Sequence, residues 1–348
     1  MNILYSFNKI GFEQEYWYEE IGKSRGEDFK YFPFNHGDGL DPNDYITAQK
    51  LDGLYTSEDP ALMRLYSTVE SIISKNKIHA ILVDNLNPYH PEFLRKLNVY
   101  KIRRTTDGPS IAYDRDIPYY HAFDMIFYHC PAYSKDLNMS EKLDYCGVND
   151  KNFWPLAAFE KMYDPLKSEK DLFAQDRGVD IAFVGGLYPS KMELIASVKK
   201  KFGSDFHLHG LTGWKRNLYF NVKYKFPGWI SPLKFIDYVP LYQKTKVGIN
   251  THLGGKYLLG NYRLFDLPAN GVMQISDGDE YLNEFFKVGE EIESYNSQDE
   301  LIDKIEYYLK NDRAREKIAR AGYRRVLRDY TIGKQLKDAA ELIKFKTQ

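Results

Sequence analysis

The sequence predicts an α/β protein made of two doubly wound domains with a cleft between them. Three observations predict it. Short apolar runs alternate with segments of helical periodicity. The rhythm stops at a charged stretch and then restarts. The chain has 348 residues, which suits two domains better than one or three.

Taken in order, Asn2 to Phe7 reads as a strand, and after a polar loop Gln14 to Ser24 reads as a helix. Leu62 to Lys75 places Leu62, Leu65, Val69 and Ile72 or Ile73 on one helical face. His79 to Asp84 and Phe123 to His129 read as short buried strands. The pattern then breaks between Trp154 and Lys170, where the polar stretch AAFEKMYDPLKSEKD is expected to connect two domains. A strand begins again at Asp180 to Gly186 and runs into a helix, Lys191 to Phe202. Phe206 to His209, Val247 to Asn250 and Val272 to Ser276 read as later strands. Asp299 to Leu309, Arg313 to Tyr330 and Ile332 to Phe345 read as helices. In doubly wound sheets, ligands sit beyond the carboxyl ends of the strands, so two facing sheets suit an enzyme that joins two substrates.

Composition narrows the function. Apolar residues at 43% and charged residues at 28% exclude a disordered chain, a collagen-like fibre and a small disulfide scaffold. A formal net charge of −1 lacks the basic excess of a nucleic-acid binder, so no nucleic-acid partner is expected. Cys130 and Cys146 are too few for a disulfide framework and form no zinc motif; they read as reduced thiols in a cytoplasmic protein. No signal peptide and no membrane-length apolar run is seen, so a soluble protein is expected, with peripheral membrane contact left open. Lys199-Lys200-Lys201 and the cluster from Arg313 to Arg328 read mainly as solvated helix faces, with a patch for anionic lipid or an acidic polymer as the alternative.

Two segments can carry chemistry. Val184-Gly185-Gly186-Leu187-Tyr188-Pro189-Ser190-Lys191 joins a predicted strand to a predicted helix. Glycines let a backbone approach an anion, a helix start offers N–H donors, and Lys191 adds charge. The plain alternative is a tight turn. The segment is neither a GxxxxGK[ST] loop nor a GxGxxG fingerprint, and the lack of the latter argues against a NAD-dependent dehydrogenase. The second segment, Gly260 to Gly271, sets Arg263 and Asp266 three apart on one helical face. They form either a local salt bridge or a diphosphate brace with a ribose-binding carboxylate. Asn270-Gly271 supplies a helix stop.

Asn261-Tyr-Arg-Leu-Phe-Asp266, the strand ending at Asp277, the aromatic stretch Tyr281 to Phe286, and the helices through Leu327 together resemble the C-terminal region of CgeB-like (spore-maturation type) glycosyltransferases, related to family 4. Phe153-Trp-Pro-Leu-Ala157 and Asp180 to Gly185 are similar to landmarks of the same family. The resemblance implies a GT-B fold of two Rossmann-like domains facing a central cleft. The expected division is an acceptor-side domain over 1–165, a nucleotide-sugar domain over 166–330, and a C-terminal helix over 331–348 that packs back on the first. It implies sugar transfer from a nucleotide-sugar donor to a hydroxyl of a glycan, protein or small molecule, with no cofactor and no essential metal. By position, Gly185, Gly186 and Lys191 fall near the diphosphate, Asn261 and Arg263 fall in the signature segment, and Asp266 replaces the Glu expected at the ribose. Leu258 stands where the wider group often has a second Glu. Gly228-Trp229-Ile230 is a candidate border for the base and equally a surface turn. His209-Gly210 and Asn250-Thr251-His252 are further candidates to line the cleft.

Lys191 and Arg263 would stabilise the charge that develops on a departing diphosphate. For the acceptor side, Asp107 is the first candidate for a general base, followed by Asp38 and His36; Asp84-Asn85 also ends a strand. For each of them taken singly, a turn residue or helix cap is the plainer reading, since Asp and Asn are preferred in turns. Asp277-Gly278-Asp279 spells the metal-binding DxD of a different glycosyltransferase fold, but its Asp-Gly pair reads better as a turn. The alternatives are a sugar-nucleotide epimerase-like GT-B enzyme and a non-catalytic glycan- or nucleotide-binding module. The sequence leaves the donor sugar, its base and the stereochemical outcome open.

Overall fold

The apolar runs become the strands of two parallel sheets. A computed structural model describes residues 1–8, 13–84, 86–105, 114–129, 139–164, 166–210, 213–252, 261–278 and 282–347. Two compact units emerge: Met1–Pro155 together with Ile332–Gln348, and Leu156–Thr331.

The first unit runs β1 (Asn2–Phe7), α1 (Glu13–Lys23), β2 (Lys30–Asn35), α2 (Ala48–Thr56), α3 (Pro60–Lys75), β3 (Ala80–Asp84), α4 (Pro91–Lys96), β4 (Tyr100–Thr105), β5 (Met125–Tyr128), α5 (Met139–Tyr145) and β6 (Lys151–Phe153). Its parallel sheet has the order β2-β1-β3-β4-β5-β6. β3 is buried throughout, as a strand covered on both faces must be. α3 starts where the Asp59 carboxylate accepts the Ala61 and Leu62 N–H groups and Pro60 has no N–H to lose. It buries Leu62, Leu65, Tyr66 and Val69 against the sheet.

The second unit contains α6 (Glu169–Phe173), β7 (Val179–Val184), α7 (Pro189–Phe202), β8 (Phe206–His209), α8 (Trp214–Tyr224), α9 (Tyr238–Gln243), β9 (Thr245–Asn250), α10 (Arg263–Ala269), β10 (Met273–Asp277), β11 (Glu293–Tyr295), α11 (Gln298–Lys310) and α12 (Asp312–Asp329). Its parallel sheet has the order β11-β10-β9-β7-β8. The chain direction across the sheet therefore reverses at β7 and β9. The last helix, α13 (Ile332–Thr347), belongs to the first unit, where Leu336, Ala339, Ala340 and Ile343 are buried.

The stretch expected to link the domains across Trp154 to Lys170 is more structured than a linker. Ala157, Ala158, Phe159 and Met162 are buried. The Ala158 N–H donates to the Tyr330 carbonyl at 2.8 Å, and the Phe159 ring lies 5.0 Å from that of Tyr262. These apolar side chains draw the chain into the second unit directly after Pro155. Among the described residues no helix is long and apolar enough to cross a membrane.

Candidate functional site

The reversal point of the second sheet gathers the strand ends that follow β7 and β9. In open α/β sheets this is where ligands bind. Val184 and Gly185 close one strand; Asn250, Thr251 and His252 close the other.

Arg263, the first residue of α10, ties the two together. Its Nη1 donates to the Val184 carbonyl at 2.5 Å, its Nε to Asn250 Oδ1 at 2.9 Å, and its Nη2 to the Thr251 carbonyl at 3.1 Å. The guanidinium lies over the Phe183 ring, 4.4 Å from its centre. It is turned inward and is buried, which lowers its pKa. A Cβ on Gly185 would fall 2.0 Å from Nη1, so the arginine needs glycine at that position. This is close approach rather than backbone freedom.

Lys191 joins from the first turn of α7. It is buried, and its Nζ donates to the same Thr251 carbonyl at 2.8 Å. Burial and the neighbouring Arg263 charge bring its pKa down to about 8, against the opposing pull of Asp277. Two buried cations thus share one carbonyl oxygen, and neither is hydrogen-bonded to a carboxylate among the described residues. Burying like charges together is costly unless an anion compensates them.

The Asp277 carboxylate is occupied otherwise. It accepts the His252 Nδ1 at 2.6 Å, the His252 backbone N–H at 2.9 Å and the Thr251 hydroxyl at 3.1 Å. Burial alone would push this carboxyl up, but the His252 contacts hold it below the usual carboxylate range. Asp277 therefore faces the strand-end loop, and its DxD partner Asp279 lies outside the described residues. Among the described residues no group of three or more His, Cys, Asp or Glu is arranged to hold a metal ion.

The other sequence candidates take varied places. Gly186 is exposed in the turn before α7. The Asn261 side chain accepts the Leu264 N–H at 3.1 Å and so caps α10. Asp266 is buried inside α10, near Tyr242. Asn270 caps the end of α10, its amide donating to the Met162 and Asp266 carbonyls, and Gly271 follows with φ +68°. Trp229 is exposed beside Gly228, and the next turn reaches β8 through the Gly210 N–H on the Ser231 carbonyl. His209 is half-buried, which lowers its pKa. Leu258 lies outside the described residues.

In the first unit, Asp107 and Asn85 lie outside the described residues. Asp84 is buried in a salt bridge to Arg104 at 2.8 Å and accepts the Tyr5 hydroxyl at 2.6 Å. Arg104 sits between the rings of Trp17 and Trp154. This network was not read from the sequence, because Asp84 and Arg104 come together only through the β3–β4 register. His36 is fully buried against Ser6, and burial and Arg103 lower its pKa to about 3, so its ring is neutral at physiological pH. Asp38 is exposed in a turn and accepts the Asn35 amide at 2.5 Å.

Residues 191–341 match a family model described as glycosyl transferase-like. No curated protein matches the chain by sequence. Among solved structures, sucrose-phosphate synthase from Thermosynechococcus elongatus has a TM-score of 0.65 at 11% identity, covering 99% of this chain and 98% of that one. Anabaena HepE in complex with UDP and glucose has a TM-score of 0.61 at 10% identity, covering 99% of each chain. A Listeria monocytogenes protein described as a UDP-N-acetylglucosamine 2-epimerase has a TM-score of 0.56 at 13% identity, covering 99% of this chain and 97% of that one. At such identities the likeness is one of fold: two parallel sheets with flanking helices, the GT-B fold.

Proposed function

We propose that this chain is a glycosyltransferase that takes a sugar from a nucleotide-sugar donor and passes it to a hydroxyl acceptor. The observation that carries the reading is the pair Lys191 and Arg263, two buried cations at the reversal point of the second sheet, sharing the Thr251 carbonyl. A nucleoside diphosphate supplies the directly bonded anion that this pair has no carboxylate to provide among the described residues. The glycosyl transferase-like match over 191–341 and the HepE structure, solved with UDP and glucose, support the same donor class.

In this reading the diphosphate settles on the Gly185–Lys191 turn. Lys191 meets a phosphate oxygen as sugar transfer leaves charge there, and Arg263 adds positive charge from beneath and holds the turn. Asn261 and Asp266 belong to the donor segment, with Asp266 directed at the ribose. Gly186 gives the backbone room, and Trp229 offers a face to the base. Asp107 is the proposed base for the acceptor, which is a glycan, a protein or a small molecule. The protein needs no cofactor and no metal in this scheme, since its own cations serve the leaving group.

A thermal-shift screen over nucleoside diphosphates and their sugar conjugates tests it, because a bound donor must raise the melting temperature. Stabilisation by at least one of these supports the reading; none stabilising the protein sinks it in favour of a binding module for something else. The Listeria structure gives the epimerase alternative a specific footing. Incubating a labelled nucleotide sugar without acceptor separates the two. Intact donor or slow hydrolysis favours a transferase, whereas epimerised sugar favours the alternative.

A further inference from the structure

Outside the candidate site, the most unusual surface of the second unit is α8. Its buried side is made by Asn217 and Phe220. Its outer side carries Trp214, Leu218 and Val222 at four-residue intervals, which puts them on one face, and they are 64%, 55% and 74% exposed. Tyr219 extends the same face, exposed and hydrogen-bonded to Lys223. An ordinary surface helix turns such a stripe toward the core.

The surroundings are cationic. Between Asp205 and Asp237 the chain has no acidic residue, yet it carries Lys215, Arg216, Lys223, Lys225 and Lys234, in a protein whose net charge is −1. Where α8 ends, an open groove of about 530 Å³ is lined by Glu193, Ser197, Lys200, Lys223, Tyr224 and Lys225. Three lysines thus face a single carboxylate. Lys225 holds a left-handed backbone conformation, φ +49°, that favours glycine, so a charged residue stands at a position where it is conformationally disfavoured.

We propose that α8 is a peripheral docking surface for an anionic lipid bilayer, with Trp214, Leu218 and Val222 entering the interface and the Lys200–Lys223–Lys225 groove taking a lipid headgroup phosphate. Exposed Trp and aliphatic side chains beside a predominantly cationic rim are the composition of an interfacial helix. A partner protein with an ordinary mixed-charge surface would not call for an acid-free flank. The inference is independent of the donor site.

The test is co-sedimentation of the full chain with vesicles of phosphatidylcholine alone or of an equimolar mixture with phosphatidylglycerol. The protein is expected to pellet with the mixed vesicles only, and to be released by high salt as the lysine attraction is screened. The double variant Lys223→Glu, Lys225→Glu is expected to weaken binding by roughly tenfold or more. Leu218→Asp with Val222→Asp is expected to abolish it. All four positions lie on the surface, and unchanged melting temperatures certify that the variants fold. Equal binding to both vesicle types, no binding to either, or undiminished binding by both double variants overturns the proposal. So does a dimer in light scattering that Leu218→Asp disperses, since the face would then serve a second copy.

Discussion

Arg263 reaches three strand-end oxygens only because residue 185 has no side chain to block it. Gly185→Ala is therefore expected to displace the guanidinium and destabilise the second unit by about 2 kcal/mol, read by urea unfolding. Arg263→Ala removes the donor from three buried acceptors, and a loss of about 3 kcal/mol is expected by the same measurement, together with a sharp loss of sugar transfer. Near-normal kinetics in that variant would reject its part in the reaction. Lys191 makes the opposite bargain. Its folded pKa of about 8 lies below that of an unfolded lysine, so the unfolded chain holds more protons above pH 8. Stability conferred on the second unit thus rises with pH from about 8 toward the ordinary lysine value, and burial of the charged form is a cost below it. Lys191→Met is expected to raise the melting temperature of the ligand-free protein at pH 7 while weakening nucleoside diphosphate binding. A variant that binds as tightly as the parent would contradict the role given to this lysine.

Among the elements, most central strands and the longest helices were legible because their patterns are local. β1 was read to the residue, and α12 to within a residue at each end, since a short, continuously buried run and a burial pattern of period 3.6 are written in the sequence itself. Three of the four edge strands were not, the exception being β8, read to the residue as Phe206 to His209. β2 carries Pro33 within it, which an edge tolerates and a central strand does not. β6 and β11 are too short to show any period, and they exist because a neighbour offers a parallel ladder. The stop of α10 was legible in Asn270-Gly271, because only a left-handed residue turns the chain from Ala269 into β10 so tightly. Gly271→Ala would strain that turn and set a Cβ 2.7 Å from the Arg177 guanidinium. A cost of about 2 kcal/mol in chemical denaturation is expected.

At the level of the whole molecule, the chain leaves its first unit at Pro155 and returns to it at Ile332. The return is anchored by the Tyr31 hydroxyl on the Leu336 carbonyl at 2.7 Å and by the buried Leu336 and Ile343. Ending the chain after Thr331 should cost the first unit roughly 5 kcal/mol from those side chains. Differential scanning calorimetry would then show one transition moved down and the other little changed; two unmoved transitions would deny α13 this role. The same long-range character explains what could be read of the candidate site. Lys191 and Arg263 stood out through a Gly-Gly turn and an Asn-Tyr-Arg signature. Their shared acceptor is a backbone carbonyl at Thr251, and a carbonyl leaves no mark on a sequence. The His252–Asp277 pair was hidden likewise, because its members meet only where β9 and β10 end side by side.

Titration calorimetry of the nucleoside diphosphate that the thermal screen selects, run at pH 8 in two buffers of different ionisation enthalpy, tests the central claim most directly. A diphosphate that settles beside Lys191 must restore its proton, so binding should take up about half a proton at that pH. The uptake should vanish in Lys191→Met. Binding with no proton uptake, or an uptake that survives in the variant, would place the anion elsewhere.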